Sequence, residues 1–129
     1  MLVTKGGGRE AFESLDGKLI YYSKYQKPGI WSVPVKGGEE AQVFEKAAQG
    51  NWGVARDGIC FFDWKDAVHP VVQFYNFRDR RSTTLYEFLR GTNVDTGNSV
   101  ISVSPDERWI LYTQIDQVGS NLVLVDNFR

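Results

Sequence analysis

The chain has 129 residues, enough for one compact domain, and a formal net charge of −1 from 15 Lys and Arg against 16 Asp and Glu. This near-balance argues against a dedicated nucleic-acid-binding protein, which usually carries a clear basic excess. One cysteine and one histidine exclude an internal disulfide and zinc sites built from several cysteines. No apolar run approaches the roughly 18–20 residues that a membrane-spanning helix needs, and the first residues lack the apolar core of a signal peptide. We therefore expect one domain without a cofactor that binds neither nucleic acid nor a membrane.

Aromatic residues and glycines are the two compositional features that stand out. Four Trp, six Tyr and eight Phe make up 14% of the chain, alongside 13 Gly. Aromatic side chains favour the pleated, half-buried surface of a sheet, and Gly is favoured in the turns between strands. Helical spacing of apolar residues is not sustained, because Gly or Pro interrupts nearly every window. The composition therefore predicts an all-β domain.

Three segments of the chain resemble one another, at residues 13–23, 53–63 and 102–113. Each contains a short strand, a turn centred on an aspartate, and then a run of aromatic and branched side chains. The turn aspartates are Asp16, Asp57 and Asp106. Self-similarity at a period of about 40–50 residues is typical of propellers and repeat arrays.

The turns of these repeats follow hairpin chemistry. Asp followed by Gly between two β runs is a strong hairpin signal, because Gly accepts a positive φ without steric cost. The first two turns contain this pair, with Gly17 and Gly58, whereas Glu107 takes the place of Gly in the third. A left-handed conformation at Glu107 would cost roughly 1–2 kcal/mol. We therefore expect the third turn to be the weakest.

Each aromatic run is followed by a loop, a third strand, a turn and a fourth strand. The predicted third strands are 30–35, 71–77 and 120–125, and the predicted fourth strands are 41–44 and 84–88. We interpret residues 39–49 as an outer strand with its connection, although they also form the one plausible short helix. Pro34 requires a bulge or a free side of its strand, because proline has no N–H to donate.

Four antiparallel strands per repeat predict the blade of a β-propeller. The whole of 1–129 is then one unit of three blades, with repeats at approximately 1–38, 39–81 and 82–129. Three blades cannot close a ring, since propellers typically have about 4–8. We therefore expect half of a six-bladed ring.

The two ends of the chain suggest how the ring is completed. The chain stops where the third repeat should enter its fourth strand, and it begins with what resembles such a strand, Leu2, Val3 and Thr4. An open arc leaves sheet faces and edges bare, which favours association. We predict that two copies close the ring as a homodimer and that this strand of one copy completes the last blade of the other. The alternative is that N-terminal blades of a longer polypeptide complete it.

Two motifs resemble the repeats of TolB-like propellers. Residues 30–40 are similar to the turn between the inner and outer strands of those repeats, and residues 102–112 resemble their S-P-D-G hairpin. Residues 12–18 show the same hairpin with Leu15 where the family usually has Pro. Residues 122–129 are similar to the C-termini of bacterial signalling proteins that carry such propellers. The resemblance implies the blade type and identifies no site, because these motifs build turns and cores.

The loops that join the second and third strands of each blade form the candidate site. Exposed aromatic side chains beside charged ones are typical of recognition surfaces. The candidate residues are Tyr25 and Lys27, then Trp64, Asp66 and His69, then Asp116 and Gln117. Trp64 could equally pack between neighbouring blades, and packing is the expected role of the other tryptophans, Trp31, Trp52 and Trp109.

Catalytic chemistry finds little support in the sequence. Cys60 lies in an apolar strand, where a buried structural thiol is expected, and His69 is expected in a solvated loop. The two are therefore not expected to form a nucleophilic pair. No Gly-x-Ser-x-Gly elbow occurs. The carboxylates of Glu10 and Glu13 are the candidates for a hard cation in a central channel.

We therefore expect a non-catalytic propeller module that binds a protein or small ligand at the mouth of the ring. One alternative is an architectural half-ring whose main property is self-assembly. Another is a hydrolase or lyase with a cation in the central channel.

Overall fold

The computed structural model describes residues 3–4, 6–47, 51–95 and 101–116, and these residues form ten β-strands and no helix. The first sheet contains, in spatial order, β1 (Arg9–Glu13), β2 (Leu19–Lys24), β3 (Lys27–Pro34) and β4 (Ala41–Phe44). The second contains β5 (Trp52–Val54), β6 (Gly58–Asp66), β7 (His69–Asn76) and β8 (Ser82–Glu87). The third contains β9 (Ser102–Val103) and β10 (Ile110–Leu111). The prediction of an all-β chain with antiparallel sheets of four strands is confirmed.

Each sheet is an antiparallel meander of strands consecutive in sequence, and we call the three the first, second and third units. β4 confirms that residues 41–44 form a strand rather than a helix, and β8 extends two residues before the predicted 84–88 and ends one residue earlier. The predicted strand 120–125 lies outside the described residues, as does Leu2. Val3 and Thr4 belong to no strand in the described chain.

The hairpin turns of the first and third units have the same hydrogen-bond network. Ser14 Oγ donates to Asp16 Oδ1 (2.7 Å) and accepts from the backbone N–H five residues later (2.9 Å). Ser104 Oγ donates to Asp106 Oδ1 (2.5 Å) and likewise accepts from the N–H five residues later (3.0 Å). Serine and aspartate side chains satisfy turn N–H groups in this way, which is why the motif stops one strand and starts the next. The two turns are therefore structural equivalents.

The residue after the turn aspartate behaves differently in the three units. Gly17 has a φ of 68° and Glu107 a φ of 58°, which confirms the left-handed position in the first and third turns. Glu107 Oε1 also accepts a hydrogen bond from the backbone N–H of Arg56 (2.5 Å), which links the third turn to the second and offsets part of the strain. The same expectation is wrong for Gly58, whose φ is not positive. Glycine is needed there because a Cβ would overlap the carbonyl oxygen of Tyr75.

Pro34 lies on a free side of its strand, as expected for a residue that has no N–H to donate. The backbone N–H of Val35 donates to the carbonyl of Lys18 (2.9 Å), so the neighbouring nitrogen of Pro34 faces the opposite edge of the strand. On that edge the pairing of β3 with β4 ends at Ser32 and Ala41. The nitrogen of Pro34 therefore has no ladder partner to lose.

A first core lies between the first and second sheets. It contains Tyr21, Ile30, Phe44, Ala47, Trp52, Ile59, Phe61 and Tyr75. The ring of Phe44 lies 4.8 Å from that of Phe61 and 4.3 Å from that of Tyr75, centroid to centroid. These contacts join the outer strand of the first unit to the middle strands of the second.

A second core lies between the second and third units. It contains Cys60, Phe62, Val72, Phe88, Val94 and Ile101, with Val103 and Ile110 packed against it. Successive side chains of a strand point to opposite faces, so β6 sends Phe61 into the first core and Phe62 into the second. The middle strands of the second sheet are thus covered on both faces, whereas β8 is exposed. The described chain is a stack of sheets in sequence order, an arrangement compatible with propeller-like packing.

Candidate functional site

The hairpins between the second and third strands are tighter than the sequence indicates. Their turns contain only residues 25–26 in the first sheet and 67–68 in the second, since the ladders continue to the pairs Lys24–Lys27 and Asp66–His69. Lys27, Asp66 and His69 therefore lie in strands, and the prediction of loops there is wrong. Two-residue hairpins let both strands keep their cross-strand pairs to the last residue, which a sequence pattern of mixed polarity does not reveal.

The predicted site residues fall into three groups, one on each unit. Trp64, Asp66 and His69 lie together on the hairpin of β6 and β7, and Tyr25 and Lys27 lie on the hairpin of β2 and β3. In the third unit, Asp116 lies two residues after Gln114, which forms an isolated bridge with Val94. Gln117 lies outside the described residues. Tyr25 is exposed, with the guanidinium of Arg9 5.8 Å from its ring centroid. Three of the candidates thus share one local surface, on the second unit.

One end of β8 carries a carboxylate that joins both strands of this hairpin. Glu87 accepts a hydrogen bond from Lys65 Nζ and lies 3.9 Å from His69 Nε2. The hydrogen bond from Lys65, helped by the nearby charges of Lys65 and His69, lowers the pKa of Glu87. The carboxylate is therefore ionised at neutral pH and holds the two side chains against the outer strand.

A second carboxylate fixes the tip of the hairpin. Asp66 accepts a hydrogen bond from the backbone N–H of Val68 (3.1 Å), and its other oxygen lies 2.5 Å from Arg90 Nη1. The backbone hydrogen bond is the largest cause of the lowered pKa of Asp66, followed by the hydrogen bond and charge of Arg90. Both ion pairs are exposed and screened by solvent, so they add little to the stability of the fold, and their main effect is to orient the hairpin.

A cavity of about 470 Å³ lies between the hairpin and the connection that follows β8. Its lining consists of Trp64, Ala67, Val68, Pro70, Gly91, Thr92, Asn93 and Val94. The backbone N–H of Gly91 donates to the carbonyl of Val68 (2.6 Å), which ties the connection to the hairpin. The cavity walls are therefore held by main-chain as well as side-chain contacts.

Three apolar side chains at this end of the second unit are exposed, and we call Trp64, Val68 and Leu89 the hairpin patch. Trp64 is 39% exposed and Leu89 is 85% exposed. Leu89 begins a turn that is closed by a hydrogen bond from the N–H of Thr92 to the carbonyl of Leu89. The same turn contains Gly91, whose N–H donates to the carbonyl of Val68. Exposed apolar side chains with a polar rim are typical of interaction surfaces.

Sequence reasoning found Trp64 and missed Val68 and Leu89. Val68 lay in what was expected to be a longer loop, and Leu89 directly follows the predicted fourth strand. Alternation of polar and apolar residues gives the orientation of a side chain only while the strand continues. The sequence alone shows only a leucine between Phe88 and Arg90, and the structure shows that Phe88 is buried and Arg90 is exposed.

The other expected packing roles are only partly met. Trp52 is fully buried and its ring packs 4.8 Å from that of Phe12, while Trp31 is half-buried. The packing expected for Trp109 is wrong, because its side chain is exposed. Cys60 is buried as predicted, and burial, together with the carboxylate of Glu107, raises the pKa of its thiol to about 11.

A larger cavity, of about 580 Å³, opens at the opposite end, beside the hairpin turns. Its lining includes Leu15, Tyr21, Arg56, Asp57 and Pro105. The polar side chains that the first turn contributes, Ser14 and Asp16, are hydrogen-bonded to each other and to the turn backbone. We therefore regard the hairpin patch as the better candidate site.

The described ranges contain neither a cluster of metal-binding side chains nor a membrane-spanning helix. Within residues 3–4, 6–47, 51–95 and 101–116, no group of three or more His, Cys, Asp or Glu side chains is placed to hold a metal ion. Glu10 Oε2 instead accepts a hydrogen bond from Ser23 Oγ (3.1 Å). In the same part of the chain, no helix has the length and apolar character needed to cross a membrane.

Comparison with known proteins gives no match among protein-family models, curated proteins or solved structures.

Proposed function

We propose that this chain is a non-catalytic β-propeller module of the TolB-like type that binds a protein segment at its hairpin patch. The observation that carries the proposal is the half-exposed ring of Trp64 beside a cavity of about 470 Å³. Exposed tryptophans at the edge of a pocket are enriched among the residues that dominate protein recognition. The rest of the patch, Val68 and Leu89, extends the apolar contact area.

The charges around the patch indicate what kind of segment it binds. Lys65 is paired with Glu87, and Asp66 with Arg90, so the rim carries balanced charges that are already engaged. A ligand selected by its net charge would find no excess of either sign there. The proposed ligand is therefore a peptide that inserts an apolar side chain into the cavity and covers Leu89.

The propeller architecture is supported by the order of the sheets. The first and second units are four-stranded antiparallel meanders, and the second sheet is buried between its two neighbours. A radial array of such sheets is what a propeller requires. In the proposed architecture the chain supplies three blades, half of a six-bladed ring.

A library of random peptides displayed on phage tests the proposed binding. Peptides selected on the parent protein are retested on Trp64→Ala and Leu89→Ser, and on the control Leu15→Ser, which changes an exposed leucine at the opposite end of the sheets. We expect selected peptides that share an apolar residue. Their affinity should fall at least about tenfold on each patch variant, since truncation of a dominant aromatic costs about 2 kcal/mol or more and of a neighbour about 1. Their affinity for the Leu15→Ser control should not change.

Selected peptides that bind all three variants as tightly as the parent would contradict the proposed site. Failure to select any peptide would contradict the proposed ligand class.

A further inference from the structure

A third cavity, of about 430 Å³, lies between the first and second units, and we call it the turn cavity. One wall is β4 with the two residues after it, and the other is the turn that joins β7 to β8 with the adjoining strand ends. Its volume is within the range of about 300–1,000 Å³ that is usual for small-molecule sites. It shares no lining residue with the cavity of the hairpin patch. The turn cavity is therefore a separate candidate site.

Two cationic side chains line the turn cavity, one from each unit. Lys46 follows β4, and Arg80 lies in the turn before β8. Neither forms an ion pair within the described part of the chain. The lining contains one carboxylate, that of Glu45, so its cations outnumber its anions by two to one. Charges of one sign in a cleft reinforce each other's field, and the turn cavity is therefore suited to an anionic group.

The backbone at Arg80 has a conformation that usually requires glycine. Its φ is 58°, and its N–H donates to the carbonyl of Asn76 (2.9 Å). Asn76 Oδ1 accepts hydrogen bonds from the N–H groups of Arg78 (2.8 Å) and Asp79 (3.3 Å), so the turn is fixed by its own side chains. The connection between β3 and β4 in the first unit has Gly37 in its left-handed position, with a φ of 84°. An arginine in such a position supports a role for its side chain, because residues with strained backbones cluster at binding sites.

Hydroxyl, amide and carboxylate groups form the rest of the polar lining. Ser82 lies directly opposite Tyr75 in the β7–β8 ladder, so both side chains are on the same face of the sheet. Their hydroxyls make no hydrogen bond with another described residue. The ring of Tyr75 is stacked on that of Phe44, with 4.3 Å between centroids, which holds it in place. The amide of Gln42 and the carboxylate of Glu45 add further polar groups. Such a set both donates to and accepts from the hydroxyl groups of a ligand.

We infer that the turn cavity binds a small sugar phosphate. Lys46 and Arg80 bind the phosphate, whose charge of about −1.5 to −2 at neutral pH matches two cations. The carboxylate of Glu45 accepts hydrogen bonds from the sugar hydroxyls and disfavours a second anionic group in the cavity. The phosphate and the sugar thus each use a different part of the lining. Because the cavity is enclosed by two units and does not run along a strand edge, a compact ligand fits it better than an extended phosphopeptide does.

Isothermal titration calorimetry of the intact chain at low salt tests the inference. The probes are ribose 5-phosphate, glucose 6-phosphate and fructose 6-phosphate, with glucose, inorganic phosphate and a phosphoserine peptide for comparison. We expect at least one sugar phosphate to bind with one molecule per chain, and glucose to give no binding heat. Inorganic phosphate should bind at least about tenfold more weakly than that sugar phosphate, because it makes none of the contacts of the sugar.

Three variants locate the binding. Lys46→Gln and Arg80→Gly each remove one cation of the lining and should raise the dissociation constant of the sugar phosphate at least about tenfold. Arg80→Gly retains a residue that adopts a positive φ easily, so the urea midpoint should not fall. The matched control Arg78→Gln removes the same charge from the same turn, outside the lining, and should change the dissociation constant by less than about threefold.

Four results would overturn the inference. They are no binding of any of the three sugar phosphates, an unchanged affinity in Lys46→Gln and Arg80→Gly, an equal loss of affinity in Arg78→Gln, and binding of inorganic phosphate or the phosphoserine peptide as tight as that of the sugar phosphates. Binding of apolar peptides at the hairpin patch is measured separately and uses none of these side chains. Failure at the turn cavity would therefore leave the proposed function standing, and the reverse result would leave the turn cavity standing.

Discussion

The second sheet and the third unit place similar sequences in opposite surroundings. β6 has five consecutive buried residues, Gly58–Phe62, because a neighbour covers each face of its sheet. β10 has the same alternation of apolar residues, yet only Ile110 is packed against a core and Leu111 is exposed. The pattern along a strand therefore specifies which residues share a face, while burial of that face depends on whether another sheet lies against it.

The second and third units also differ in the number of faces on which they make aromatic contacts with a neighbouring unit. Ring contacts of the second sheet reach both neighbours, through Phe61 to Phe44 and through Phe62 to Tyr112. Among the described residues, the third unit has such contacts on one face only. We therefore expect substitutions to be most costly in the second sheet and least costly at the exposed residues Trp109 and Leu111 of the third unit.

The largest difference is expected between a buried ring of the second unit and an exposed side chain of the third. Phe62→Ala removes a buried ring from the second core and should cost about 3–5 kcal/mol of unfolding free energy. Leu111→Ala removes an exposed side chain and should change it by less than about 0.5 kcal/mol. Urea unfolding measures both. Equal costs at the two positions would contradict the difference in burial.

A smaller effect is expected where the backbones of the two units approach each other. A Cβ on Gly53 of β5 would overlap the carbonyl oxygen of Ile101, so Gly53→Ala forces the second and third units apart. We expect a cost of about 1–3 kcal/mol in unfolding free energy. The exposed neighbour Ser102 gives the control, because Ser102→Ala should change stability by less than about 0.5 kcal/mol. A neutral Gly53→Ala would show that the units are not in contact there.

The smallest expected effect is on the turns, which are alike in the first and third units. The hydroxyls of Ser14 and Ser104 are the largest cause of the lowered pKa values of Asp16 and Asp106, whose ordinary value is 3.8. A lowered pKa in the folded state stabilises the fold above the unfolded value, and this contribution is lost as the pH falls through the folded value. The urea midpoint should therefore decrease as the pH is taken below 3.8.

The lowered pKa values of Asp66 and Glu87 add to the same pH dependence, with the same sign. The double variant Ser14→Ala with Ser104→Ala should reduce the pH dependence of the urea midpoint, because it removes the hydrogen bonds that contribute most to the lowered pKa values of Asp16 and Asp106. A variant with the full dependence of the parent would show that the serine hydroxyls do not act on these carboxylates. Because the four side chains are exposed, the whole effect is small.

Local chemistry made much of the fold predictable from the sequence. The turn motif, the strand at 41–44 and the free side of Pro34 all follow from residue types and their immediate neighbours. The error at Gly58 is instructive, because a glycine next to an aspartate suggested a positive φ. Its actual constraint is the close approach of Tyr75, which belongs to another strand and cannot be recognised from the local pattern.

The candidate site was harder to predict, for a related reason. Trp52 begins β5 and Trp109 directly precedes β10, and packing was expected for each, but among the described residues only Trp52 belongs to a core. His69 and Asp66 were expected in the loop between the second and third strands, whereas they pair with each other at the end of the β6–β7 ladder. Contacts between units and the exact length of a hairpin are tertiary properties, so neither could be obtained from periodicity alone.

The central claim is that β6 faces the first unit with one set of side chains and the third unit with the next. Nuclear Overhauser effects between aromatic rings measure this most directly. The account predicts cross-peaks from Phe61 to Phe44 of the first unit and from Phe62 to Tyr112 of the third. Cross-peaks from Phe61 and Phe62 to rings of the same neighbouring unit would contradict it.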